Sequence, residues 1–160
     1  MKLVRKYWPA LLAIALVAVA AWGMNALLRR DITPVAPSQL ELREAPGLTM
    51  TVDEVQGTRF FLTFRNRADV GYETGWGCVL EKQVDGVWHS LKNHEEGRLA
   101  FTAEAYLLPV GESREWEESV DYYGSPLTPG RYRIIKGVIG PGEPGDRTRF
   151  YDAVAEFEID

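Results

Sequence analysis

The sequence feature that most constrains the fold is a proline-glycine turn leading directly into a strand-like segment, LTPGRYRIIK at residues 127–136. Pro129 fixes one backbone dihedral of the turn, and Gly130 permits conformations that other residues avoid. Tyr132 then begins an alternation of apolar and polar residues with the period of a β-strand. In β-sandwiches, a tyrosine near the start of a late strand commonly bonds through its hydroxyl to backbone a few residues upstream. We therefore expect Pro129, Gly130 and Tyr132 to form a structural corner between two sheets.

The same period of two recurs along the chain after residue 46. Leu48, Met50 and Val52 alternate with polar residues in the first such segment, and Ala153 and Ala155 do so in the last. Turn signals separate the segments, among them the dipeptides at 56–57 (QG) and 85–86 (DG) and the loop GPGEPGD at 140–146. Short alternating segments with frequent turns predict an all-β protein, an antiparallel β-sandwich of about seven to eight strands.

The first 30 residues differ in kind from the rest. Tyr7–Leu28 spans 22 residues without a charge, and about 20 apolar residues suffice to cross a bilayer as a helix. Three basic residues precede this run and two follow it, which favours a C-terminal domain outside the cytoplasm. A secretory signal peptide cleaved near Ala20 is the alternative, because residues 18–20 (AVA) fit a cleavage site. The apolar character continues to Leu28 before a double arginine, which favours an uncleaved single-pass anchor at the cell membrane.

These observations give a domain plan. Residues 1–30 are predicted to be a signal anchor with one transmembrane helix, and residues 47–160 a β-sandwich domain. Residues 31–46, which hold three prolines among polar side chains, are predicted to be a linker.

Charge and cysteine content exclude several classes of function. Of the 18 basic side chains, five lie in residues 1–30, which leaves 13 against 23 acidic ones in residues 31–160, a net charge of −10. Nucleic acids and anionic lipid surfaces require a basic face, so we expect neither as a partner of the domain. Cys78 is the only cysteine, which excludes an intrachain disulfide and a CxxC redox site.

Several motifs in this order resemble those of a bacterial immunoglobulin-like domain family. They are LEKQVDGVW at residues 80–88, YLLP at 106–109, the pair EW at 115–116, LTPGRYRI at 127–134 and the closing AEFEI at 155–159. The resemblance covers roughly residues 47–160 and implies an immunoglobulin-like sandwich. It also implies an exported or membrane-tethered protein of Gram-positive bacteria, with no enzymatic activity assigned to the family.

Residue patterns for catalysis or metal binding are weak. His89, His94 and Glu95 could serve as zinc or nickel ligands in a metal-dependent hydrolase, but they lack a tight ligand spacing. Cys78 alternates with Leu80 on the predicted core face, which favours a buried, inert thiol. No nucleophile elbow or phosphate-binding loop is present. We therefore expect a non-enzyme without catalytic residues, metal or cofactor.

Three aromatic residues in predicted loops are the candidate binding residues: Trp76, Tyr122 and Tyr123 lie near glycines, where aromatic side chains often anchor a partner. The alternative is that they cap the ends of the sandwich. The favoured hypothesis is a non-catalytic binding or structural module at the bacterial cell envelope, with a protein or glycan partner. A second hypothesis is an accessory subunit of a membrane complex, whose Tyr7–Leu28 helix would pack through small residues.

Overall fold

The computed structural model describes residues 31–95, 104–141 and 149–160, and these residues form ten β-strands and one short 3-10 helix, Asp121–Tyr123. The strands are β1 (Pro34–Pro37), β2 (Leu48–Gln56), β3 (Arg59–Asn66), β4 (Tyr72–Thr74), β5 (Val79–Val84), β6 (Val87–Leu91), β7 (Tyr106–Leu108), β8 (Ser113–Ser119), β9 (Gly130–Gly140) and β10 (Arg149–Ile159). The count exceeds the predicted seven to eight because β1 and β4 are too short to show an alternation.

Two antiparallel sheets make up the sandwich. One has seven strands in the order β1-β6-β5-β9-β4-β7, with β10 also paired to β9, and the other has three in the order β2-β3-β8. On one side, β10 pairs with β9 from Gly130 to Gly140. On the other, β5 pairs with residues 132–135 of β9, and β4 pairs with residues 138–139. The chain between β4 and β5 therefore passes from one ladder to the next along a single edge of β9.

The core lies where the alternating faces of the two sheets meet. Phe60, Leu62 and Phe64 of β3 are at most 1% exposed, and their polar neighbours point outward. Tyr132 and Ile134 of β9 are completely buried and face them from the larger sheet. Phe157 of β10 completes this packing, stacked 5.6 Å from Tyr132 and edge-on to Phe60 at 5.1 Å between ring centroids. An all-β sandwich is thus confirmed for the described part of the chain.

A buried ion pair joins the two sheets through this core. Lys136 of β9 is 0% exposed and forms a salt bridge with Glu118 of β8, which is 2% exposed. The lysine Nζ also donates to the carbonyl oxygen of Gly77 at 3.0 Å. The glutamate accepts hydrogen bonds from Trp116 Nε1 at 3.2 Å and from the backbone N–H of Gly77 at 3.3 Å. Buried charges persist only when they are paired and hydrogen-bonded, and this pair satisfies both conditions.

The segment 31–46 differs from the linker that the sequence predicts. Its residues 34–37 form β1, which pairs with β6 at an edge of the larger sheet, where proline is tolerated because one side of an edge strand needs no donor. Ile32 and Ala45 are buried in the core cluster. Asp152 of β10 donates its backbone N–H to the Arg43 carbonyl at 2.7 Å. Residues 38–45, called the strap below, therefore belong to the folded domain.

The predicted signal anchor, residues 1–30 with the helix Tyr7–Leu28, lies outside the described residues. Within residues 31–95, 104–141 and 149–160, no helix is both long and apolar enough to cross a membrane. Residues 31–160 form one compact unit.

Candidate binding surface

Trp76 lies where the chain crosses between the β4 and β5 ladders. Residues 75–78 form no ladder with β9, so the chain leaves the sheet for a few residues before it returns at Val79. The Trp76 side chain is 42% exposed, a large exposure for an indole. The topology of the larger sheet thus presents this side chain at the surface.

Trp76 belongs to a group of three aromatic rings, called the aromatic cluster, with Tyr106 and Trp116. Ring centroids are 5.0 Å apart for Trp76 and Trp116, 4.6 Å for Tyr106 and Trp116, and 6.2 Å for Trp76 and Tyr106. These separations lie in the range of favourable aromatic packing. Tyr106 is also exposed, at 37%. The cluster is therefore a surface feature with two open rings supported by the half-buried Trp116.

Glu104 connects the two exposed rings of the cluster. Its Oε2 accepts a hydrogen bond from the Tyr106 hydroxyl at 2.6 Å and one from Trp76 Nε1 at 3.5 Å. These bonds, that of Tyr106 foremost, lower the pKa of the Glu104 carboxyl. The same bond raises the pKa of the Tyr106 phenol. One ionised carboxylate therefore orients both rings.

The buried ion pair of the core supports the cluster from below. Lys136 Nζ lies 4.8 Å from the centre of the Trp116 ring, within cation–π distance. The indole N–H of the same tryptophan donates to Glu118, as described above. Trp116 is thus fixed on one side by the Lys136–Glu118 pair and contacts the exposed rings on the other.

A cavity of about 390 Å³, the strap cavity, lies beside Trp76 between the strap and the outer face of the larger sheet. The strap contributes Leu40, Glu41 and Leu42 to its lining. The sheet contributes the paired residues Val79 and Ile135 and the paired residues Gly137 and Asp152, and residues 76–78 complete the wall. The walls are mainly apolar, and Glu41 and Asp152 are their charged groups.

Tyr122 and Tyr123, the other two predicted binding residues, are buried at 5% and 6% exposure. Both lie in the 3-10 helix, and both hydroxyls approach the backbone of Cys78: Tyr122 donates to its carbonyl at 3.1 Å and Tyr123 at 3.4 Å. Burial raises the pKa of Tyr123 to about 12 and raises that of Tyr122 further. The expectation of exposed loop anchors at these two positions conflicts with their packing, because the short helix turns the rings into the core. Of the predicted trio, only Trp76 presents its ring to solvent.

Cys78 is held by the same contacts. Its sulfur lies 3.3 Å from the Tyr122 hydroxyl, and its backbone N–H donates to that hydroxyl at 3.3 Å. Burial, followed by the nearby Glu118 carboxylate, raises the pKa of the Cys78 thiol to about 12. A thiol with this pKa is unreactive near neutral pH, because only the thiolate is nucleophilic.

The predicted corner residues Pro129, Gly130 and Tyr132 stabilise the turn before β9. The Tyr132 hydroxyl donates to the carbonyl of Thr128 at 2.6 Å, and Gly130 has a φ of 138°, which a side chain would disfavour. Lys82 Nζ donates to Thr128 Oγ1 at 2.7 Å and to the Pro129 carbonyl at 2.9 Å. These contacts tie the turn to β5 and β9 rather than forming a binding site.

The candidate metal ligands do not come together in the described part of the chain. His89 Nδ1 is 3.0 Å from the carbonyl oxygen of Val87, and His94 Nε2 is 3.3 Å from that of Asp31. Among residues 31–95, 104–141 and 149–160, no group of three or more His, Cys, Asp or Glu side chains could hold a metal ion. Within the described residues, no metal-binding geometry therefore supports the hydrolase hypothesis with His89, His94 and Glu95.

Sequence reasoning missed Glu104 and Tyr106 as members of the site. The apolar character of residues 101–108 favours a strand in this segment, and β7 is found at Tyr106–Leu108. Glu104 and Tyr106 are two residues apart, the spacing of side chains on one side of an extended chain. The spacing indicates that Glu104 and Tyr106 lie side by side, but it does not indicate that either contacts Trp76.

The fold and the surface site together define a small β-sandwich module that presents an aromatic surface beside a shallow cavity. A family model described as a bacterial Ig-like domain matches residues 44–158. The chain therefore belongs to the bacterial Ig-like domain family, as the sequence motifs predict. Membership of this family indicates a non-enzymatic binding or structural module. A comparison with curated proteins finds no match.

Proposed function

We propose that this protein is a membrane-anchored, extracytoplasmic Ig-like module that binds a protein or glycan of the bacterial cell envelope without chemical turnover. The observation that carries the proposal is the exposed and oriented ring of Trp76. Its ring centroid lies 5.0 Å from that of Trp116, and its N–H donates to Glu104 at 3.5 Å. The binding surface consists of the aromatic cluster together with the strap cavity.

The physical argument concerns the cost of binding. A side chain that is already held in place loses little conformational entropy when a partner arrives. Tryptophan and tyrosine are also the side chains most enriched among residues that dominate binding energy at interfaces. An exposed cluster of such rings on a rigid sheet therefore favours a role in binding a partner over a role in stabilising the domain.

The anchored location is supported by the sequence. The 22 uncharged residues of Tyr7–Leu28 and the basic residues before them favour an anchor with the domain outside the cytoplasm. A tag at the C-terminus should accordingly be digested when protease is added to intact protoplasts. Protection of that tag until the membrane is ruptured would refute the orientation. The intact mass of the purified protein distinguishes the retained anchor from cleavage near Ala20.

The binding proposal is tested by cross-linking full-length tagged protein in its own membranes and identifying what is captured. The Trp76→Ala variant should lose the captured partner, because the exposed ring is removed while the sheets remain. Phe150→Ala is the matched control, since Phe150 is 74% exposed and has no ring contact with the aromatic cluster. Capture that is unchanged in Trp76→Ala, or lost equally in both variants, would contradict the proposal. If exchange of the Tyr7–Leu28 segment abolishes capture while Trp76→Ala does not, the accessory-subunit hypothesis is the better one.

A further inference from the structure

We infer that the strap cavity receives a basic side chain, flanked by apolar residues, from a protein partner. This inference rests on the proposed binding function and names the chemistry of the partner. It depends on the lining of the cavity, on its charge and on the position of Trp76 at its rim.

The size and lining of the cavity fit side chains rather than a large rigid ligand. Its volume of about 390 Å³ lies at the lower end of the usual range for ligand sites, roughly 300–1,000 Å³. Leu40, Leu42, Val79 and Ile135 are among its lining residues. These four side chains offer apolar contact to the methylene stem of a lysine or arginine and to an adjacent aliphatic residue.

The charge of the cavity selects a cation. Glu41 and Asp152 line it, and no lysine or arginine does so among the lining residues. Glu41 is exposed and has no hydrogen bond or ion pair with the residues that the structure describes. Asp152 uses Oδ2 to accept the backbone N–H of Arg43 at 2.8 Å. The exposed Arg43 is the one basic residue of the strap, and the domain around it carries an excess of acidic groups. An anionic partner would be repelled, and a cationic one would be attracted.

Trp76 places an aromatic ring at the rim of the cavity. A lysine or arginine head group that lies over an indole face gains a cation–π interaction. The Glu104 carboxylate bonded to the indole N–H adds negative charge on the same side. A neutral glycan could stack on this ring, but it would gain nothing from the two carboxylates in the cavity. A basic peptide segment uses every feature of the site, which is why we favour it over a glycan.

The test measures peptide binding to full-length protein in a non-ionic detergent by fluorescence anisotropy. The probe is a dansylated peptide of alternating lysine and leucine. Its glutamate-leucine counterpart and a neutral chitin oligosaccharide serve as competitors that represent the other chemistries. The lysine-leucine peptide should bind, and its affinity should fall several-fold on addition of about 0.5 M salt because screening weakens charge contacts.

Three conservative variants localise the site. Glu41→Gln and Asp152→Asn should each weaken binding about fivefold or more, and the asparagine oxygen can still accept the Arg43 N–H. Glu158→Gln removes the same charge at an exposed position outside the cavity lining and should leave the affinity unchanged.

The inference is overturned if the lysine-leucine peptide does not bind, if Glu158→Gln weakens binding as much as the cavity variants, or if the glutamate-leucine peptide or the chitin oligosaccharide displaces the probe. Its failure is separable from that of the proposed function. Loss of membrane capture in Trp76→Ala with no peptide binding leaves a binding module whose partner has another chemistry. Capture that is independent of Trp76 would defeat both.

Discussion

Replacing Lys136 by methionine should destabilise the domain far more than the loss of one ordinary contact. The substitution keeps a long apolar side chain but leaves the Glu118 carboxylate buried without its counter-ion. Glu118 is 2% exposed, and its remaining partners are Trp116 Nε1 and the Gly77 N–H. Removing one member of a buried pair typically costs about 3–5 kcal/mol, because the other charge stays desolvated.

The double variant Lys136→Met, Glu118→Leu provides the sharper test. It removes both charges, so the desolvation penalty disappears, and apolar replacements of buried pairs are often neutral or stabilising. Here the N–H and C=O of Gly77 and the indole N–H of Trp116 each lose a charged partner, at a cost of about 1–3 kcal/mol for each group left unsatisfied. We therefore expect the double variant to cost about 1–3 kcal/mol less than the summed costs of Lys136→Met and Glu118→Leu made singly, and to remain less stable than the wild type.

The assay is urea unfolding of the full-length protein in detergent, followed by tryptophan fluorescence. Arg59→Met is the matched control, because Arg59 pairs with Glu117 across β3 and β8 at 3.0 Å with half-exposed side chains. Such a surface pair contributes at most about 1 kcal/mol. If Lys136→Met costs no more than Arg59→Met, or if the costs of the two core substitutions simply add, the reasoning about desolvation is wrong.

Four further outcomes follow from the same contacts. Tyr132→Phe should cost about 1–3 kcal/mol, since the Thr128 carbonyl loses its closer donor at 2.6 Å and keeps only Lys82 Nζ at 3.4 Å; an unchanged urea midpoint would mean that the hydroxyl does not stabilise the corner. Trp76→Ala should cost about 1–2 kcal/mol through its two ring contacts, and a much larger loss of stability would assign the side chain to the core. Cys78 should resist iodoacetamide at pH 8 in the folded protein and react fully in urea, because the half-buried thiol stays protonated; alkylation of folded protein would contradict the raised pKa of this thiol. Because its folded pKa of about 12 lies above the ordinary 9.0, the unfolded chain ionises first, so Cys78 should lower stability as pH rises above about 9, an effect absent in Cys78→Ala.

The strands that bury one face could be predicted from the sequence, because burial imposes the period of two. The alternation that includes Leu48 and Met50 predicted the inward face of β2 correctly, and the closing strand β10 likewise buries Ala153 and Ala155. This pattern is contained in the residues of the strand itself, so it can be recognised without knowing which strands lie beside it. The pattern is missing where a strand is short or lies at an edge. For that reason the proline-containing β1 was predicted to be part of a linker. Its pairing with β6 depends on residues more than fifty positions away, which no local pattern includes.

Lys136 illustrates a second limit of the pattern. It occupies an inward position between Ile134 and Val138, where an apolar residue is expected. The position is tolerable only because Glu118 arrives from the opposite sheet and Gly77 offers its carbonyl. Lys136, Glu118 and Gly77 come from three separate segments of the chain. No local rule predicts such a meeting, so the ion pair could be found only in the folded structure.

Prediction of the candidate site was limited in the same way, because the sequence pattern is local whereas the exposure of a side chain depends on distant segments. Trp76, Tyr122 and Tyr123 carry one local signal, an aromatic ring in a loop close to glycine, and yet they differ in exposure. The two tyrosines follow β8 through a short helix that directs their hydroxyls to the backbone of Cys78, so they fill the space under the crossing between β4 and β5. Trp76 lies in that crossing, above a position already occupied by Trp116 and Lys136, and therefore has no room in the core. The exposure of Trp76 is thus a consequence of the buried groups beneath it, which is why a substitution in the core such as Lys136→Met should also disturb the binding surface.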